Sequence, residues 1–312
     1  MKRTISLAVS LALAVLVLVP PAWAELGYST GIGPRNVIDV TVAPAFTLRD
    51  VKHVANGVAL RNRASGWIHL RGVPPGSTVI RAHLYWNISD GLVKGPASSA
   101  TFNGNLVAGL KRADNPDPCW GLTGNHTYRA DVTPFVPRNN PNQDYLFALQ
   151  KPDPLTTSGE NPWTLAPVPT LLTEGATLIV TYRHPEKTIG AIVNIYDAFS
   201  GTMFSTSGTF TLTHAALSGG GLFTMTGADG QRGGGHDNVF SNETGTFNGA
   251  QFSGPTVAAS DWDGSTGLPL TQLWDVHTHI VQLNGTSSTV AYTGVGDCLV
   301  PVAFVIQLGL ND

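Results

Sequence analysis

The stretch Gly175–Gly201 constrains the fold of this chain more than any other. Its two apolar segments, Ala176–Tyr182 and Ile189–Tyr196, carry aliphatic or aromatic side chains at both odd and even positions. Because side chains alternate between the two faces of a strand, such segments are typical of strands covered on both sides. The polar turn Arg183–Thr188 between them predicts that the two strands pair as a hairpin.

Two other segments show the simple alternation of a strand with one face in the core. In Ser77–Trp86 the apolar side chains share one face, while Arg81, His83 and Tyr85 share the other, which we expect to face solvent. Val300–Leu308 alternates in the same way. Both segments predict strands with a fixed register.

The composition favours turns over helices. Charged residues make up only 12% of the chain, which contains 35 Gly and 21 Pro among 312 residues. Asn103-Gly104 predicts a tight hairpin turn. We therefore predict an all-β fold, an antiparallel β-sandwich of jelly-roll type with long loops and little helix. It extends over residues 37–312 as one sandwich or as two packed sandwiches, with a sub-boundary near 201–207.

The first 24 residues have the pattern of a cleaved signal peptide. Basic Lys2-Arg3 precede the apolar run Ile5–Val19, and Ala22-Trp23-Ala24 fits a cleavage site. The alternative is an uncleaved anchor, since this run approaches the length of about 17 residues that spans a bilayer. We favour cleavage before Glu25, which leaves residues 25–36 as a Gly-rich leader and predicts a secreted protein outside the membrane.

The charge of the mature chain argues against a nucleic-acid partner. Cleavage removes Lys2 and Arg3, so 16 Lys+Arg remain against 21 Asp+Glu, a net charge of −5. Such a chain lacks the basic field that collects nucleic acid or an anionic membrane surface. We expect an extracellular partner or a polysaccharide instead.

The chain contains two cysteines, Cys119 and Cys298. In an oxidising compartment a pair of cysteines predicts a disulfide. Closing a loop of about 180 residues would stabilise the fold by roughly 4–5 kcal/mol in the chain-entropy description. The alternative is a pair of buried thiols.

Several short segments, in their order along the chain, form a distinctive pattern. They are Val79–Trp86, Tyr128–Thr133, the segment that ends in Tyr196–Phe199, and Trp274–Val276 followed by Gly296-Asp297. Over about residues 37–308 the chain resembles an uncharacterised β-sandwich module of secreted and cell-surface proteins, often found at the head of adhesin-like chains. The resemblance implies an all-β fold and supplies no catalytic residue. The chain departs from the module at Asp197-Ala198, where the module has aspartate-glycine.

Acidic turns predict a structural calcium ion, and no other cofactor is expected. Calcium prefers several hard oxygen ligands, which turns rich in Asp and backbone carbonyls supply. The alternative is that these residues only form turns, as Asp and Gly commonly do. The candidate ligands are Asp229, Asp237, Asp261, Asp263 and Asp297.

A second candidate metal site lies in Trp274–Val281. Asp275, His277 and His279 fall on one face of this predicted strand, a spacing that can hold zinc if a loop adds a ligand. The alternative, which we prefer from the sequence, is an exposed polar face.

Four tryptophans in or near polar loops are candidates for stacking against a sugar ring. The alternative is that each closes an open end of the sandwich. They are Trp67, Trp120, Trp163 and Trp262.

The sequence favours a non-enzymatic role. It lacks a G-x-S-x-G nucleophile elbow and an H-E-x-x-H helix. A carboxylate pair for glycoside hydrolysis remains open, with Asp261, Asp263 and Glu243 as candidates. We expect a secreted structural or interaction protein, adhesin-like, at or outside the bacterial cell surface. The alternatives are a carbohydrate-binding module and an extracellular hydrolase.

Overall fold

The computed structural model describes residues 35–90, 98–117, 122–150, 171–231, 242–254, 256–257, 260–264, 266 and 272–310. In these ranges the only helical element is the 3-10 turn Thr133–Phe135, and no helix there has the length and apolar character needed to cross a membrane. The strands are β1 (Arg35–Val42), β2 (Phe46–Arg49), β3 (Lys52–Ala59), β4 (Ser65–His69), β5 (Thr78–Asp90), β6 (Ser99–Phe102), β7 (Asn105–Ala108), β8 (Leu110–Asp117), β9 (Leu122–Asp131), β10 (Asp144–Leu149), β11 (Leu171–Arg183), β12 (Ile192–Tyr196), β13 (Phe204–Gln231), β14 (Thr244–Phe247), β15 (Ala250–Ser253), β16 (Gln272–Thr293) and β17 (Val300–Leu308).

The strands form three sheets, and the middle sheet has strand order β3-β11-β5-β9-β8. All its neighbouring strands are antiparallel. Along β11 every residue from Leu171 to Tyr182 is buried. The prediction that this apolar segment is covered on both faces is therefore confirmed, because a sheet packs against each side of it.

The outer sheet, with order β4-β10-β6-β7, covers one face of the middle sheet. Their shared core contains Trp86 and Leu178 from the middle sheet and Phe102 and Phe147 from the outer sheet. The turn Asn103-Gly104 joins β6 to β7 with positive φ angles of 48° and 77°. This is the geometry of a two-residue hairpin turn, so the predicted hairpin is confirmed.

The long sheet has strand order β15-β14-β16-β13-β17-β12-β2, with β1 paired in parallel to β13. The pairing of β13 with β16 shifts register between Thr213 and Leu217. Before this point β13 pairs with β1, and after it with β17. Phe210 from the first half lies 5.3 Å, ring centre to ring centre, from Phe304 of β17. The two halves therefore fold towards each other around a second core.

The other face of the long sheet packs on the middle sheet, forming a third core that includes Tyr85, Ile179, Val193 and Val302. The fold is thus an antiparallel β-sandwich with several layers, as predicted, and the middle sheet contributes to two of its cores. The expected sub-boundary at 201–207 falls at the start of β13 and stays a prediction.

The hairpin predicted for Gly175–Gly201 is wrong. Strand β11 pairs with β3 and β5 in the middle sheet, whereas β12 pairs with β17 and β2 in the long sheet. The turn between them therefore carries the chain from one layer to the next. A strand can be buried on both faces whether or not it pairs with the next strand along the chain. The apolar pattern therefore did not show which strand β11 or β12 pairs with.

The predicted solvent-facing side of β5 is only partly correct. Arg81 is exposed and its Nη1 lies 3.2 Å from Oδ2 of Asp131. In contrast, His83 is only 2% exposed and Tyr85 is fully buried, because the long sheet covers that part of the strand.

Candidate metal centre

Alternation along β16 separates its apolar and titratable side chains. Trp274 faces the middle sheet, where its Nε1 donates a hydrogen bond of 2.8 Å to Oγ1 of Thr177. Asp275, His277 and His279 fall on the opposite face, as the sequence predicts. This face looks into the folded long sheet.

Residues 260–264 form a short loop over this face of β16. Oδ1 of Asp261 lies 2.5 Å from Nε2 of His279, and Oδ2 accepts a hydrogen bond of 2.7 Å from the hydroxyl of Tyr292. The next residue, Trp262, is fully buried and packs edge-on against Phe204 and Tyr292. Polar bonds on one side and aromatic packing on the other hold the loop in place.

Glu243 fastens the same loop from the side of β14. Its Oε1 accepts hydrogen bonds from the hydroxyls of Ser253 at 3.2 Å and Ser260 at 3.0 Å. It also accepts from the backbone N–H groups of Asp261 at 2.9 Å and Trp262 at 3.3 Å. The Glu243 side chain is buried, so this bonding compensates the loss of water around one carboxylate oxygen.

The loop brings Asp263 against Asp275 and His277. Nε2 of His277 lies 3.4 Å from Oδ1 of Asp263 and 3.4 Å from Oδ1 of Asp275. One potential ligand atom from each of the three residues lies within 4.8 Å of the other two. Asp275 is fully buried, whereas 23% of the His277 side chain is exposed. The cluster therefore has a buried floor and a rim that solvent reaches.

Burial and mutual charge shift the titration of this cluster. Burial raises the pKa of Asp275 to about 7, although hydrogen bonding to His277 opposes the rise. Burial alone would lower the pKa of His277, but the hydrogen bonds and negative charges of Asp263 and Asp275 outweigh it and raise that pKa to about 10. The two neighbouring carboxylates thus favour the protonated form of His277, whose positive charge balances theirs.

Comparisons with known proteins supply no family. No family model matches the chain, and no curated protein matches it. Among solved structures, the glycosylasparaginase PNGase F from Flavobacterium meningosepticum aligns with 83% of this chain and 96% of its own, at 10% identity and a TM-score of 0.27. The Sputnik virophage structure aligns with 97% of this chain and 90% of that chain, at 10% identity and a TM-score of 0.21. Both scores are too low to carry an argument about fold or function.

The predicted calcium ligands do not form one set in the part of the chain that the structure describes. Asp263 joins Asp275 and His277, and Asp261 is engaged by His279 and Tyr292. The backbone N–H of Asp229 contacts the Glu174 carboxyl, and Oδ1 of Asp297 accepts a bond of 2.8 Å from the N–H of Cys298. Asp237 lies outside the described residues. Asp229 lies within β13 rather than in a turn, and the sequence did not indicate which of the acids meet.

The stacking tryptophans have different outcomes. Trp67 is 52% exposed on β4, so the stacking role predicted for it stays a prediction. Trp262 is fully buried in the core of the long sheet, which leaves no ring face for a ligand, so the stacking role predicted for it is wrong. Trp120 and Trp163 lie outside the described residues. So does Cys119, while Cys298 is buried, and the disulfide stays a prediction.

Sequence reasoning missed a buried ionic cluster around Asp197, between the middle and long sheets. The Asp197 carboxylate accepts hydrogen bonds from Nε of Arg112 at 3.1 Å, from Nη1 of Arg129, and from the hydroxyl of Tyr85 at 3.2 Å. The Arg129 guanidinium also lies 4.5 Å from the ring centre of Phe46. Three of these residues belong to the segments that resemble the surface-protein module, which was the available signal.

Sequence reasoning also missed Glu174, a fully buried acid within β11. Its Oε1 accepts hydrogen bonds from Nδ2 of Asn125 at 2.8 Å and from the hydroxyl of Ser89 at 3.1 Å. Burial, and then the charge of Asp117, raise the pKa of Glu174 well above its usual range. A single acid within an otherwise apolar strand was a visible signal of this site.

Proposed function

We propose that this chain is an exported β-sandwich protein with a structural or interaction role, adhesin-like, at or outside the bacterial cell surface. The signal-peptide pattern of residues 1–24 and the resemblance to surface-protein modules support export. The partner would be an extracellular protein or a polysaccharide. The predicted Cys119–Cys298 disulfide suits the same oxidising compartment.

The observation that carries the non-enzymatic reading is the use made of Asp261 and Glu243. Both were candidates for a hydrolytic pair, yet both Asp261 oxygens and Oε1 of Glu243 are engaged by protein groups that hold the 260–264 loop. Buried carboxylates of this kind commonly satisfy their oxygens with protein hydrogen bonds. These contacts give both acids a structural use, which supports the non-enzymatic proposal.

Expression of the full chain in a bacterium with a periplasm tests export. We expect the protein in the periplasm or the medium, with the intact mass of a chain that starts at Glu25. The variant Ala24→Asp should retain the leader, since aspartate is not tolerated at the small-residue cleavage position. Full-length protein in the cytoplasm would contradict the proposal.

Hydrolysis of a polysaccharide by the purified protein, lost on Asp263→Asn, would overturn the non-enzymatic role.

Carbohydrate binding is the second candidate, and the exposed ring of Trp67 favours it. The ring belongs to the outer sheet, and an open indole on a sheet face can stack against a sugar ring. A glycan array with the mature protein and its Trp67→Ala variant tests this reading. Leu106→Ala is the matched control, because Leu106 is also exposed on the outer sheet but lacks an aromatic ring. Binding that Trp67→Ala abolishes would support the candidate, and an empty array would exclude it.

A further inference from the structure

We propose that Asp263, Asp275 and His277 bind one divalent transition-metal ion of the zinc class. Their ligand atoms converge within 4.8 Å, although Asp263 is separated from the other two along the chain. Two of the ligands occupy alternate positions of β16, so the sheet fixes their spacing. The third is delivered by the 260–264 loop. The proposal is independent of the role at the cell surface.

The distances suit an ion held by all three residues. Nε2 of His277 lies 3.4 Å from each of the two carboxylate oxygens. These separations exceed the 2.7–2.9 Å typical of a good charge-assisted hydrogen bond. They equal the edge of a tetrahedron whose ligands lie about 2.1 Å from its centre, which is the distance of zinc to nitrogen and oxygen ligands. The two distances from His277 therefore match a tetrahedral site, and the two carboxylate oxygens lie within 4.8 Å of each other.

The ligand types distinguish zinc from the calcium expected from the sequence. Calcium takes six to eight oxygen ligands, and an imidazole nitrogen is a poor substitute. One imidazole with two carboxylates is a donor set used by zinc and neighbouring transition metals. Three protein ligands leave a fourth position, and the 23% exposure of the His277 side chain gives the ion a route from solvent.

The local charge also favours a dication. The nearest carboxylate oxygens of Asp263 and Asp275 lie within 4.8 Å of each other, and two adjacent carboxylates attract a cation. Two further acids lie close by, Asp261 in the same loop and Glu243 beside β14, whose Oε1 accepts a hydrogen bond from the backbone N–H of Asp261. His279 is already paired with Asp261, so it serves to orient the loop rather than to neutralise the cluster. Such hydrogen bonds around the first ligands are typical of protein metal sites.

Backbone packing beside Asp275 keeps the cluster compact. A carbon atom added at Gly230 would lie 2.2 Å from Oδ2 of Asp275 and 2.9 Å from the backbone of Trp262. Only glycine allows β13 to approach both the ligand and the loop this closely. The metal would thus link the 260–264 loop to β16. The backbone of β13 at Gly230 packs against Asp275 and limits its movement.

Isothermal titration of the chelator-treated mature protein with Zn²⁺, Ca²⁺ and Co²⁺ tests the proposal. We expect one equivalent of Zn²⁺, visible absorption typical of four-coordinate Co²⁺, and no Zn²⁺ displacement by millimolar Ca²⁺. His277→Gln and Asp263→Asn should each weaken Zn²⁺ binding by more than about 100-fold, beyond the effect of losing an orienting residue. Asp263 belongs to a loop, so its variant keeps the test valid if His277→Gln fails to fold.

His69→Gln is the matched control. His69 pairs with Asp144 at 2.9 Å on the exposed outer sheet, so its loss should leave Zn²⁺ affinity unchanged. Substoichiometric binding, preference for Ca²⁺, or Zn²⁺ affinity retained in both folded ligand variants would overturn the proposal.

Discussion

Asp197 links the long sheet to the middle sheet through three side-chain hydrogen bonds. It follows β12 of the long sheet, yet its carboxylate bonds to Arg112 of β8, Arg129 of β9 and Tyr85 of β5 in the middle sheet. Asp197 is fully buried, and both arginines are mostly buried. Removing one member of a buried ionic group leaves the others without compensation, which costs more than the pair itself contributes.

Asp197→Asn is therefore expected to lower the free energy of unfolding by about 3 kcal/mol, because two guanidinium groups lose their counter-charge. Urea unfolding followed by tryptophan fluorescence measures this change. Asp144→Asn is the matched control. Asp144 also contacts an arginine, Arg71 at 2.7 Å, but the pair is exposed, so the urea midpoint should not move. Equal midpoints for the two variants would contradict the assigned role of Asp197.

The lowered pKa of His83 should make the folded protein less stable in acid. Burial, with a smaller contribution from Arg129, lowers its pKa from 6.5 to about 4 in the folded protein. As the pH falls below 6.5, the unfolded chain gains the proton first, so stability is present above pH 6.5 and is lost towards pH 4. At pH 5 the loss amounts to about 2 kcal/mol.

The variant His83→Phe tests that origin of acid sensitivity. The His83 ring stacks on Phe46 with centres 4.4 Å apart, and phenylalanine preserves this stacking while it removes the titration. We expect the difference in unfolding free energy between pH 7.5 and pH 5 to shrink by about 2 kcal/mol. An unchanged difference would show that His83 is not responsible.

The cluster of Asp263, Asp275 and His277 was only partly predictable from the sequence. The shared face of Asp275 and His277 follows from their spacing in a strand and was predictable. The choice of Asp263 rather than Asp229 or Asp297 was not, because it depends on how the loop before β16 folds back over that strand. Trp262 shows the same limit, since its burial comes from that loop.

Strands β11 and β3 each place a glycine against side chains of β16. A carbon atom added at Gly175 would lie 2.4 Å from Cδ2 of Trp274, and one added at Gly57 would lie 2.8 Å from Cγ2 of Val276. The indole of Trp274 thus occupies space that any side chain at these positions would need. These two glycines set the spacing between the middle and long sheets.

Gly175→Ala should push the two sheets apart and lower the free energy of unfolding by about 1–3 kcal/mol, as overpacked core substitutions do. Gly220→Ala in β13 is the control, because the added carbon would have its nearest neighbour at 3.8 Å. We expect its effect to stay within about 0.5 kcal/mol. Thermal unfolding of both variants supplies the comparison. Equal losses would argue against close packing at Trp274.

The strands themselves were largely predictable, but their pairing was not. Alternation located β5 and β17, and a two-residue turn located the β6–β7 hairpin. The segments that became β11 and β12 were also recognisable as strands covered on both faces. Their assignment to different sheets depends on contacts with β3, β5, β17 and β2, which are distant in sequence and leave no trace in a local apolar pattern.

At the scale of the whole molecule, the middle sheet explains why one chain can contain two sandwich-like cores without separate halves. It packs against the outer sheet on one side and the long sheet on the other. Low charge and abundant glycine and proline predicted an all-β fold, since they disfavour helices. They carried no information on the number of layers, because burial depends on how the sheets stack.

The predicted disulfide would join Cys119 and Cys298, which are distant along the chain. We expect no reactive thiol when the mature protein, exported through an oxidising compartment, is unfolded without reductant and treated with a thiol reagent. Reduction before treatment should release two thiols. Two reactive thiols without reduction would contradict the Cys119–Cys298 bridge.

The central structural claim is that the 260–264 loop and β16 together form a metal site. Anomalous diffraction from crystals of the mature protein grown with Zn²⁺, recorded on both sides of the zinc absorption edge, tests it most directly. We predict one peak about 2.0–2.2 Å from Asp263, Asp275 and His277. A crystal in which His277 bridges the two carboxylates, with no anomalous peak between them, would contradict the claim.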